Sequence, residues 1–371
     1  MKNTVLIAVL ALAATPAMAS KARLSALNNA AHIEDIQDTL KNPAKVTLHG
    51  DWLTFEMGTN AYTTAAQNPP RAEGGFARGM GDARYGFYLG HHANWVTETR
   101  VDNTPIDMDG GANTYLTNEN PVNLFYGAKA GDLAWGVGLD YSNSDKKSTK
   151  QKQSATGLNA GVTANDWEAY LNLGLMNTYE NDLTAGSEVD FKGKTAIELG
   201  GEYRMDTMTF VALARMNGGK EEIGTTETVD RTINVYNLGV VNSHKAEGTD
   251  FFYGANYVMT LDKNTAAGTA NDDKIETSAL PVFAGIEADA TSWMVLRASV
   301  RQNFILGSTK TTTGAADGEP NTVDQNTSVA AGAGLKFGKL LVDGTLEAAN
   351  SNTAALNGNA FLANAAVTYM F

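Results

Sequence analysis

The chain of 371 residues has no cysteine and only 8 prolines. Without cysteine it can form neither a disulfide scaffold nor a thiol-dependent active site. After its N-terminal stretch it also lacks the run of roughly 18 apolar residues that a transmembrane helix needs. Its 28 basic and 41 acidic side chains give a net charge of −13, which nucleic-acid phosphates would repel. These absences disfavour a disulfide-rich domain, a helical membrane protein and a nucleic-acid binder.

An export signal stands at the N-terminus. Lys2 carries a positive charge, and the stretch 5–14 is apolar throughout. Residues 17–19, Ala-Met-Ala, supply the small-x-small pattern of a cleavage site, so that Ser20 becomes the first mature residue. Charge, apolar core and cleavage site in this order predict a secretory signal peptide over 1–19 and an exported protein.

The last residues of the chain alternate between two faces, as in a β-strand. One face carries an apolar series that ends on the C-terminal phenylalanine: Phe361, Ala363, Ala365, Val367, Tyr369 and Phe371. A final strand with this alternation and a terminal phenylalanine resembles the recognition signal of outer-membrane β-barrel proteins. The resemblance implies that the barrel assembly machinery recognises the C-terminal strand.

Four tryptophans each follow a short turn and begin an alternating run: Trp95, Trp135, Trp167 and Trp293. In the run that starts at Trp135, apolar residues alternate with Gly136, Gly138 and Asp140. Tryptophan is enriched where a membrane meets water. We therefore predict that the four tryptophans and Phe371 form an aromatic girdle at one interface; unrelated core tryptophans are the alternative.

Alternating runs continue from Lys45 to the end of the chain, and the links between them are of two kinds. Short links, such as 131–132 and 206–207, alternate with long polar links, such as 57–82 and 102–120. The pattern predicts an all-β fold, a closed antiparallel transmembrane β-barrel of about sixteen strands with short periplasmic turns and long extracellular loops. Closure is expected because unpaired backbone groups are not tolerated in hydrocarbon.

The barrel is predicted to occupy 45–371 and to lie in the outer membrane of a diderm bacterium. The predicted strands cover 45–56, 83–90, 94–101, 121–130, 133–142, 154–163, 166–175, 194–205, 208–216, 231–244, 248–261, 276–289, 292–303, 327–337, 340–349 and 359–371.

Residues 20–44 do not alternate, and we predict a separate periplasmic N-terminal segment. Their loosely helical spacing leaves open a periplasmic helix, a plug in the barrel mouth or a flexible lead-in. Three motifs resemble the N-terminal region of porin-like major outer-membrane proteins from Bdellovibrio-type bacteria: Arg23-Leu24-Ser25-Ala26-Leu27, His32-Ile33-Glu34-Asp35 and Asn42-Pro43-Ala44. The last motif also resembles the hatch segment of the long-chain fatty-acid transporter barrels, whose fourteen strands are fewer than the number counted here.

Motifs for chemistry are scarce. The glycine-rich stretch 74–81 matches neither the dinucleotide fingerprint nor the P-loop. His49 and Asp51 share the predicted inner face of the first strand, but no further group converges on them. A loose calcium site is an open alternative and would use Asp102, Asp107 and Asp109. We predict no catalytic residue, no cofactor and no metal site, and hence no enzyme.

Charged residues recur on one face of the predicted strands, alternating with apolar residues. In a soluble sandwich they would form a solvated face, but in a barrel surrounded by lipid they line a water-filled lumen. The predicted pore-lining residues are Arg84, Glu98, Arg100, Lys129, Glu168, Glu198, Glu202, Arg204, Arg215, Glu287, Arg297, Arg301, Lys336, Asp343 and Glu347.

The sequence thus predicts a porin-like channel for passive diffusion of small hydrophilic solutes and ions. A long loop folded inward is expected to narrow it; 57–82 with Arg71 and Arg78 is one candidate, and the acidic loops 102–120 and 176–193 are others. Acidic loops at the mouth favour mild cation selectivity, whereas a constriction formed by Arg71 and Arg78 would favour anions.

Two other functions stay open: a plugged structural or adhesive barrel, and, less favoured, an outer-membrane enzyme. The expected partners are outer-membrane lipid and lipopolysaccharide, the barrel assembly machinery and, as one possible assembly, the other copies of a homotrimer.

Overall fold

The structure, a computed structural model, describes most of the chain beyond its N-terminal stretch. The described residues are 20–58, 71–98, 120–182, 188–266, 273–304, 307–313, 316–322, 327–349 and 364–371. The predicted signal peptide, Arg100 and the aspartates of the loose calcium site lie outside them.

Short helical elements precede the sheet. Helix α1 (Lys21–Ala26) is followed by two 3-10 helices, Ile36–Leu40 and Pro43–Thr47. Each begins after a residue whose side-chain oxygen accepts a backbone N–H, because helix N-termini leave such donors unpaired. These capping residues are Ser20, Asp35 and Asn42. Among the described residues, no helix combines the length and the hydrophobicity needed to cross a membrane.

Twenty-one β-segments follow, and a single helical turn, α2 (Asn94–Thr97), lies between the third and the fourth. The segments are β1 (Trp52–Gly58), β2 (Arg71–Met80), β3 (Ala83–Leu89), β4 (Val122–Ala130), β5 (Leu133–Lys146), β6 (Gln151–Thr163), β7 (Trp167–Asn181), β8 (Val189–Gly193), β9 (Ala196–Met205), β10 (Met208–Ile223), β11 (Thr226–Ala246), β12 (Thr249–Ala266), β13 (Asp273–Ala279), β14 (Pro281–Thr291), β15 (Met294–Asn303), β16 (Ser308–Thr313), β17 (Ala316–Asp317), β18 (Asn321–Thr322), β19 (Thr327–Phe337), β20 (Leu340–Ala349) and β21 (Asn364–Met370).

All segments belong to one antiparallel sheet that closes on itself. Phe55 of β1 lies opposite Gly74 of β2 on one side and opposite Val367 of β21 on the other. Three strands of the wall are interrupted, and each consists of two segments: β8 with β9, β13 with β14, and β15 with β16. Segments β17 and β18 are small additions to β16. The described residues therefore form a closed barrel of 16 strands, which confirms the predicted fold class.

The strand count is confirmed although two errors in the prediction compensate each other. Residues 71–80, predicted to belong to a loop, form β2, and residues 94–101, predicted to be a strand, begin as α2. The glycines of β2 make its alternation of apolar and polar residues hard to recognise in the sequence. A Cβ on Gly75 would lie 2.2 Å from the backbone oxygen of Phe87, so the close approach of these strands requires glycine. The first strand also begins later than predicted, at Trp52.

The wall has an apolar outer face and a polar inner face. Exposed apolar side chains, such as Phe55, Val137 and Leu238, alternate with inward residues such as Thr54 and Gly136. A closed sheet with this outer face satisfies its backbone within the sheet and presents hydrocarbon-compatible side chains to lipid. The protein is therefore an integral outer-membrane β-barrel.

Three of the four tryptophans predicted to form an aromatic girdle lie on the outer face of the wall, and one does not. Trp135, Trp167 and Trp293 lie outward at short turns and are 40–48% exposed, and the terminal Phe371 is 61% exposed. For Trp95 the prediction is wrong, because this side chain is only 7% exposed and lies inside the barrel.

Candidate functional site

The lumen of the barrel is occupied by the N-terminal residues 20–50, which we call the plug. Helix α1 contacts β1, β15, β19, β20 and β21, whereas Pro43–Thr47 contacts β3, β4, β5 and β6 on the other side of the barrel. Between them, Leu27, Ala30 and Ile33 pack on Val241, Phe252 and Phe283 of the inner wall. The plug thus touches the wall around most of its circumference.

Arg23 anchors the first part of the plug. Its guanidinium donates two hydrogen bonds of 2.8 Å to Glu287, one to each carboxylate oxygen. Arg297 donates to Glu287 at 2.6 Å and to Asp343 at 2.6 Å, so that four charged groups alternate in sign. Bidentate arginine–carboxylate pairs fix geometry as well as contributing energy. This group, the Arg23 cluster, therefore defines one seated position of α1.

Lys45 anchors the second part of the plug. It is almost fully buried, and its ammonium lies 2.9 Å from Glu168 of β7 and 3.4 Å from Asp38 of the plug itself. Arg204 of β9 joins this Lys45 cluster, at 3.1 Å from Glu168 and 3.2 Å from Glu34. The opposing carboxylates raise the pKa of Lys45 despite its burial, so the group stays charged.

The Asn42-Pro43-Ala44 motif docks on a glycine surface of the inner wall. A Cβ on Gly136 would lie 2.4 Å from the backbone of Pro43 and Ala44, so only glycine leaves room for the plug there. Asn42 caps the following 3-10 helix and donates a hydrogen bond to the Val162 carbonyl oxygen at 3.3 Å. The motif therefore holds the plug against β5 and β6 by shape and by one polar contact.

A second element, residues 91–98, folds into the lumen after β3, and we call it the inner loop. Trp95 packs so closely against β6 and β7 that a Cβ atom added to Gly174 would lie 2.5 Å from its ring. Asn217 donates to the Trp95 carbonyl oxygen at 3.0 Å, and Arg215 donates to Glu98 at 2.7 Å. Because β3 rises from the short turn at 81–82, the inner loop enters from the long-loop side.

The plug and the inner loop meet at Glu73. Lys21 of the plug forms a short ion pair with this carboxylate, and His91 of the inner loop lies 3.9 Å from its other oxygen. Glu56 is directly opposite Glu73 in the sheet and accepts the Lys21 backbone N–H at 2.9 Å. Burial lowers the pKa of His91 to about 3, so that this histidine is neutral.

Most predicted pore-lining residues do lie on the inner face of the wall, but ion pairs rather than open water surround many of them. Glu168, Glu287, Arg297 and Asp343 belong to the two plug clusters. Arg204 of the Lys45 cluster also pairs with Glu202. The others with described contacts pair locally, Arg84 with Asp51, Arg215 with Glu98 and Glu198, and Lys336 with Asp289.

Lys129 and Arg301 occupy inward register positions, Lys129 beside a short turn. Glu347 has the inward register of β20, but its side chain is not among those described. Glu98 belongs to the inner loop and not to a strand.

Neither predicted constriction arginine lies in a loop. Both belong to β2, where Arg78 pairs in register with the outward Tyr85 and is exposed two residues from the strand end. Arg71 is at the other end of β2, and its side chain is not among those described. Of the loop candidates, 102–120 is almost entirely outside the described residues, and much of 176–193 is strand. The segment folded inward is the inner loop, most of which falls in the predicted strand 94–101.

His49 and Asp51 do not form a pair. His49 is buried and its Nε2 lies 3.0 Å from the Asp35 carbonyl oxygen, whereas Asp51 pairs with Arg84 and with the Gly79 backbone. Within the described ranges, no group of three or more metal-ligating side chains is close enough to hold a metal ion.

Comparisons with known proteins identify no family. No family model matches the chain, and neither does any curated protein. Matching solved structures include OmpT of Vibrio cholerae, at 14% identity over 87% of this chain and 96% of that one, with a TM-score of 0.36. They also include CdiB from Escherichia coli, at 10% identity over 87% and 63% with a TM-score of 0.43. BauA, the ferric preacinetobactin receptor from Acinetobacter baumannii, matches at 10% identity over 80% and 54% with a TM-score of 0.41. Similarity at this level carries no argument, and the fold assignment rests on the strand pairing itself.

One expectation from the sequence is corrected here. The prediction that the protein is not an enzyme is withdrawn, and the match to the outer-membrane protein OmpT is the finding that stands against it. At a TM-score of 0.36 the match supports no particular activity.

Proposed function

We propose that this protein is an outer-membrane channel for small hydrophilic solutes and ions that its own N-terminal plug keeps closed. Solutes would cross by passive diffusion when the plug leaves its seat. The observation that carries the proposal is the way residues 20–50 fill a barrel of 16 strands and bind its inner wall through charged side chains.

The chemistry of the seat favours a removable plug. Beside the apolar contact on Val241, Phe252 and Phe283, the wall binds the plug through polar groups, among them Glu287, Asp343, Ser299 and Thr345. Once the plug is gone, water can solvate such a wall, whereas an apolar wall would have to collapse or stay dry. Buried ion pairs contribute little net stability, yet they specify one geometry. Both properties suit a seal that opens and closes again.

The width of the barrel supports passage after release. Barrels with about 16 strands are too wide for wall side chains to fill, and those of porins enclose an aqueous channel. Here the plug and the inner loop provide the filling that the wall cannot. The inner loop would then remain as the constriction, with Glu98 and Arg215 facing each other across a 2.7 Å hydrogen bond.

A structural or adhesive barrel is the second candidate, because the occupied lumen by itself fits a protein that never conducts. Ion current separates the two functions. The test compares the full-length protein with a variant that lacks residues 20–49 but keeps residues 1–19, each purified as folded barrel and inserted in a planar bilayer.

We expect the wild type to be closed for most of the recording and the deletion variant to conduct continuously. A folded deletion variant that stays as closed as the wild type would contradict a role for the plug in closure. A further variant that also lacks 92–98 then reports whether the inner loop closes the barrel. Full, uninterrupted current through the wild type would equally contradict the proposal.

Several finer features belong to this proposal. They are export by a signal peptide over 1–19, assembly through the C-terminal strand by the barrel assembly machinery, a homotrimer and binding of lipopolysaccharide. Mild cation selectivity from acidic outer loops also belongs here, as does kinship with the Bdellovibrio-type proteins. The position of Arg78 on the outer face of β2 speaks against the anion-selective alternative.

A further inference from the structure

The outer face of the first four strands carries a single charged side chain. In β1 to β4 the described outward positions hold apolar, glycine or tyrosine residues, apart from Arg78 of β2, which is exposed. A charge on the lipid face of a barrel is destabilising, and the more so the deeper it lies. Arg78 therefore needs both a position close to the membrane surface and an anionic partner.

The depth of Arg78 follows from its place in the strand. It lies two residues before Met80, where β2 ends at a short turn. This spacing corresponds to roughly 5 Å along the membrane normal for a strand tilted by about 40°. An arginine stem can cover this distance, with its methylene groups against lipid and its guanidinium among the head groups. Because the short turns are periplasmic, these head groups belong to the periplasmic leaflet.

Two tyrosines continue the row that begins at Arg78. Tyr85 of β3 is directly opposite Arg78, and Tyr126 of β4 is directly opposite Tyr85. Directly opposed residues have Cβ atoms about 5 Å apart. Neighbouring rings support both tyrosines, since the ring centroid of Phe76 is 6.4 Å from that of Tyr85 and the ring centroid of Trp135 is 5.7 Å from that of Tyr126. One guanidinium and two phenol hydroxyls can therefore converge on one small anion.

No side chain within the described ranges neutralises Arg78 or forms a hydrogen bond with it. Asp51, which continues β1 beside it, binds Arg84 and the Gly79 backbone on the inner face of the wall. Asp82, in the short turn, is exposed to water. The hydroxyl groups of the two tyrosines also have no partner within these ranges. Three donors thus lie side by side on the outer face without an acceptor from the protein.

The chemistry of these donors fits a lipid phosphate. Arginine binds phosphate through two parallel hydrogen bonds, and a phenol hydroxyl can donate one more. Phosphate is also the anion that a phospholipid head group presents to a basic side chain. We propose that Arg78, with the hydroxyl groups of Tyr85 and Tyr126, binds the phosphate group of a glycerophospholipid in the periplasmic leaflet. By contrast, Lys152, an outward cation on the long-loop side, lies 3.2 Å from the carboxylate of Glu180.

The test measures binding of phosphatidylglycerol to the full-length protein, purified as folded barrel in detergent, by native mass spectrometry. A diacylglycerol with the same acyl chains and no phosphate is the comparison lipid, and inorganic phosphate is the competitor. We expect Arg78→Gln to lower the affinity for phosphatidylglycerol roughly tenfold, because a charge-assisted bidentate contact is lost. The double variant Tyr85→Phe with Tyr126→Phe should lower it roughly threefold, because only neutral donors are removed.

Lys245→Gln is the matched control. It removes one positive charge from the short-turn end of β11, on the opposite side of the barrel, and should bind the lipid as the wild type does. Arg78→Lys keeps the charge and should retain part of the affinity, which separates loss of the site from misfolding.

Equal affinity of the wild type and Arg78→Gln for phosphatidylglycerol would overturn the proposal. So would equal binding of diacylglycerol and phosphatidylglycerol by the wild type. Complete displacement by inorganic phosphate at millimolar concentration would show a site for free anions and overturn its assignment to lipid. If Arg78→Gln abolished association between copies of the chain and left lipid binding unchanged, Arg78 would be a protein contact instead. The outcome does not depend on whether the barrel conducts.

Discussion

At the scale of single residues, Arg23 illustrates how the plug is held. Its side chain is 9% exposed, that of Glu287 is 14% exposed, and the two share a bidentate contact. Glu287 also binds Arg297, so removal of Arg23 leaves this carboxylate with one cation instead of two. Removing one partner of a buried pair costs about 3–5 kcal/mol when the other charge is left uncompensated, and the remaining contact with Arg297 makes the cost smaller here.

We expect Arg23→Ala to weaken seating of the plug without unfolding the barrel. The plug residues should become sensitive to protease, while the folded form retains its heat-modifiable mobility on gels. Lys147→Ala, at an exposed ion pair with Asp145, is the control and should leave protection unchanged. The conservative variant Arg23→Lys keeps the positive charge beside Glu287 and should retain part of the protection. Undiminished protection in Arg23→Ala would show that the Arg23 cluster does not hold the plug.

Asp35 gives the plug a dependence on pH. It is fully buried beside Arg23, Asp38 and Glu56, and burial raises its pKa to about 8. When the plug is released into water, the pKa of this carboxyl returns to about 4. Between about pH 4 and pH 8, Asp35 therefore carries a proton in the seated plug but not in the released plug. Stability of the seated state is lost as the pH rises through this window.

We expect the open fraction of the wild-type channel to increase from pH 6.5 to pH 9, and Asp35→Asn to show a flatter profile. The buried His32 has a pKa lowered to about 4, so its protonation weakens seating only on the acid side of this range. Planar-bilayer recordings over the range provide the measurement. The same slope in Asp35→Asn and in the wild type would assign the dependence to another group.

The residue scale also shows what alternation can and cannot predict. Glu168, Arg297 and Asp343 are buried, and the face on which they lie is the one that period-two alternation specifies. Their partners were not predictable from the pattern, since Lys45 and Arg23 come from a segment without alternation and lie far away along the chain. The water-filled lumen was inferred on the assumption that nothing else solvates these charges.

At the scale of elements, the two misread segments share a cause. Strand β2 contains three glycines without side chains, Gly74, Gly75 and Gly79, so its alternation of apolar and polar residues is faint. The inner loop, by contrast, contains Trp95 and Val96, which resemble the start of a strand but pack inside the lumen. Composition therefore predicted the number of strands but not which residues form them. Because one strand is misplaced in the prediction, the segment that enters the barrel is assigned to the wrong residues.

Closure of the sheet depends on its last element. Phe371 donates its backbone N–H to the Asp51 carbonyl oxygen at 2.9 Å, next to the pairing of β21 with β1. Its ring packs edge-on against Tyr369, with ring centroids 5.2 Å apart. These contacts lie at the short-turn edge of the closing seam.

We expect deletion of Phe371 to reduce the yield of folded, heat-modifiable barrel in the outer membrane. The reason is twofold, because the seam loses its last hydrogen bond and the strand loses its terminal aromatic. Phe371→Tyr should retain most of the yield, and Ala160→Gly, on the outer face of β6, serves as a control at a distant strand. Unchanged membrane yield of the deletion variant would contradict the importance of the C-terminal residue for assembly.

At the scale of the whole molecule, two separate segments, the plug and the inner loop, fill one lumen. The plug binds nearer the short-turn side, as Lys45 contacts Glu168 at the start of β7, and the inner loop enters from the opposite side. Their contact at Glu73 means that displacement of the plug removes Lys21 from the carboxylate beside His91. The inner loop also contacts the wall directly, through Asn217 and Arg215. We expect it to keep these contacts when the plug leaves.

Current through this barrel is expected to require movement of the plug, and a reversible cross-link between plug and wall provides a direct test. The chain has no cysteine, and Asn364 of β21 donates to the Ser25 hydroxyl of the plug at 3.0 Å. The double variant Ser25→Cys with Asn364→Cys can therefore tie the plug to the wall without competing thiols. Single-channel current is recorded from the oxidised protein and again after a reductant is added to the same bilayer. We predict no openings while the disulfide is intact and wild-type openings after reduction, with each single cysteine variant indifferent to the reductant. Equal openings before and after reduction, or none in either state, would contradict the claim.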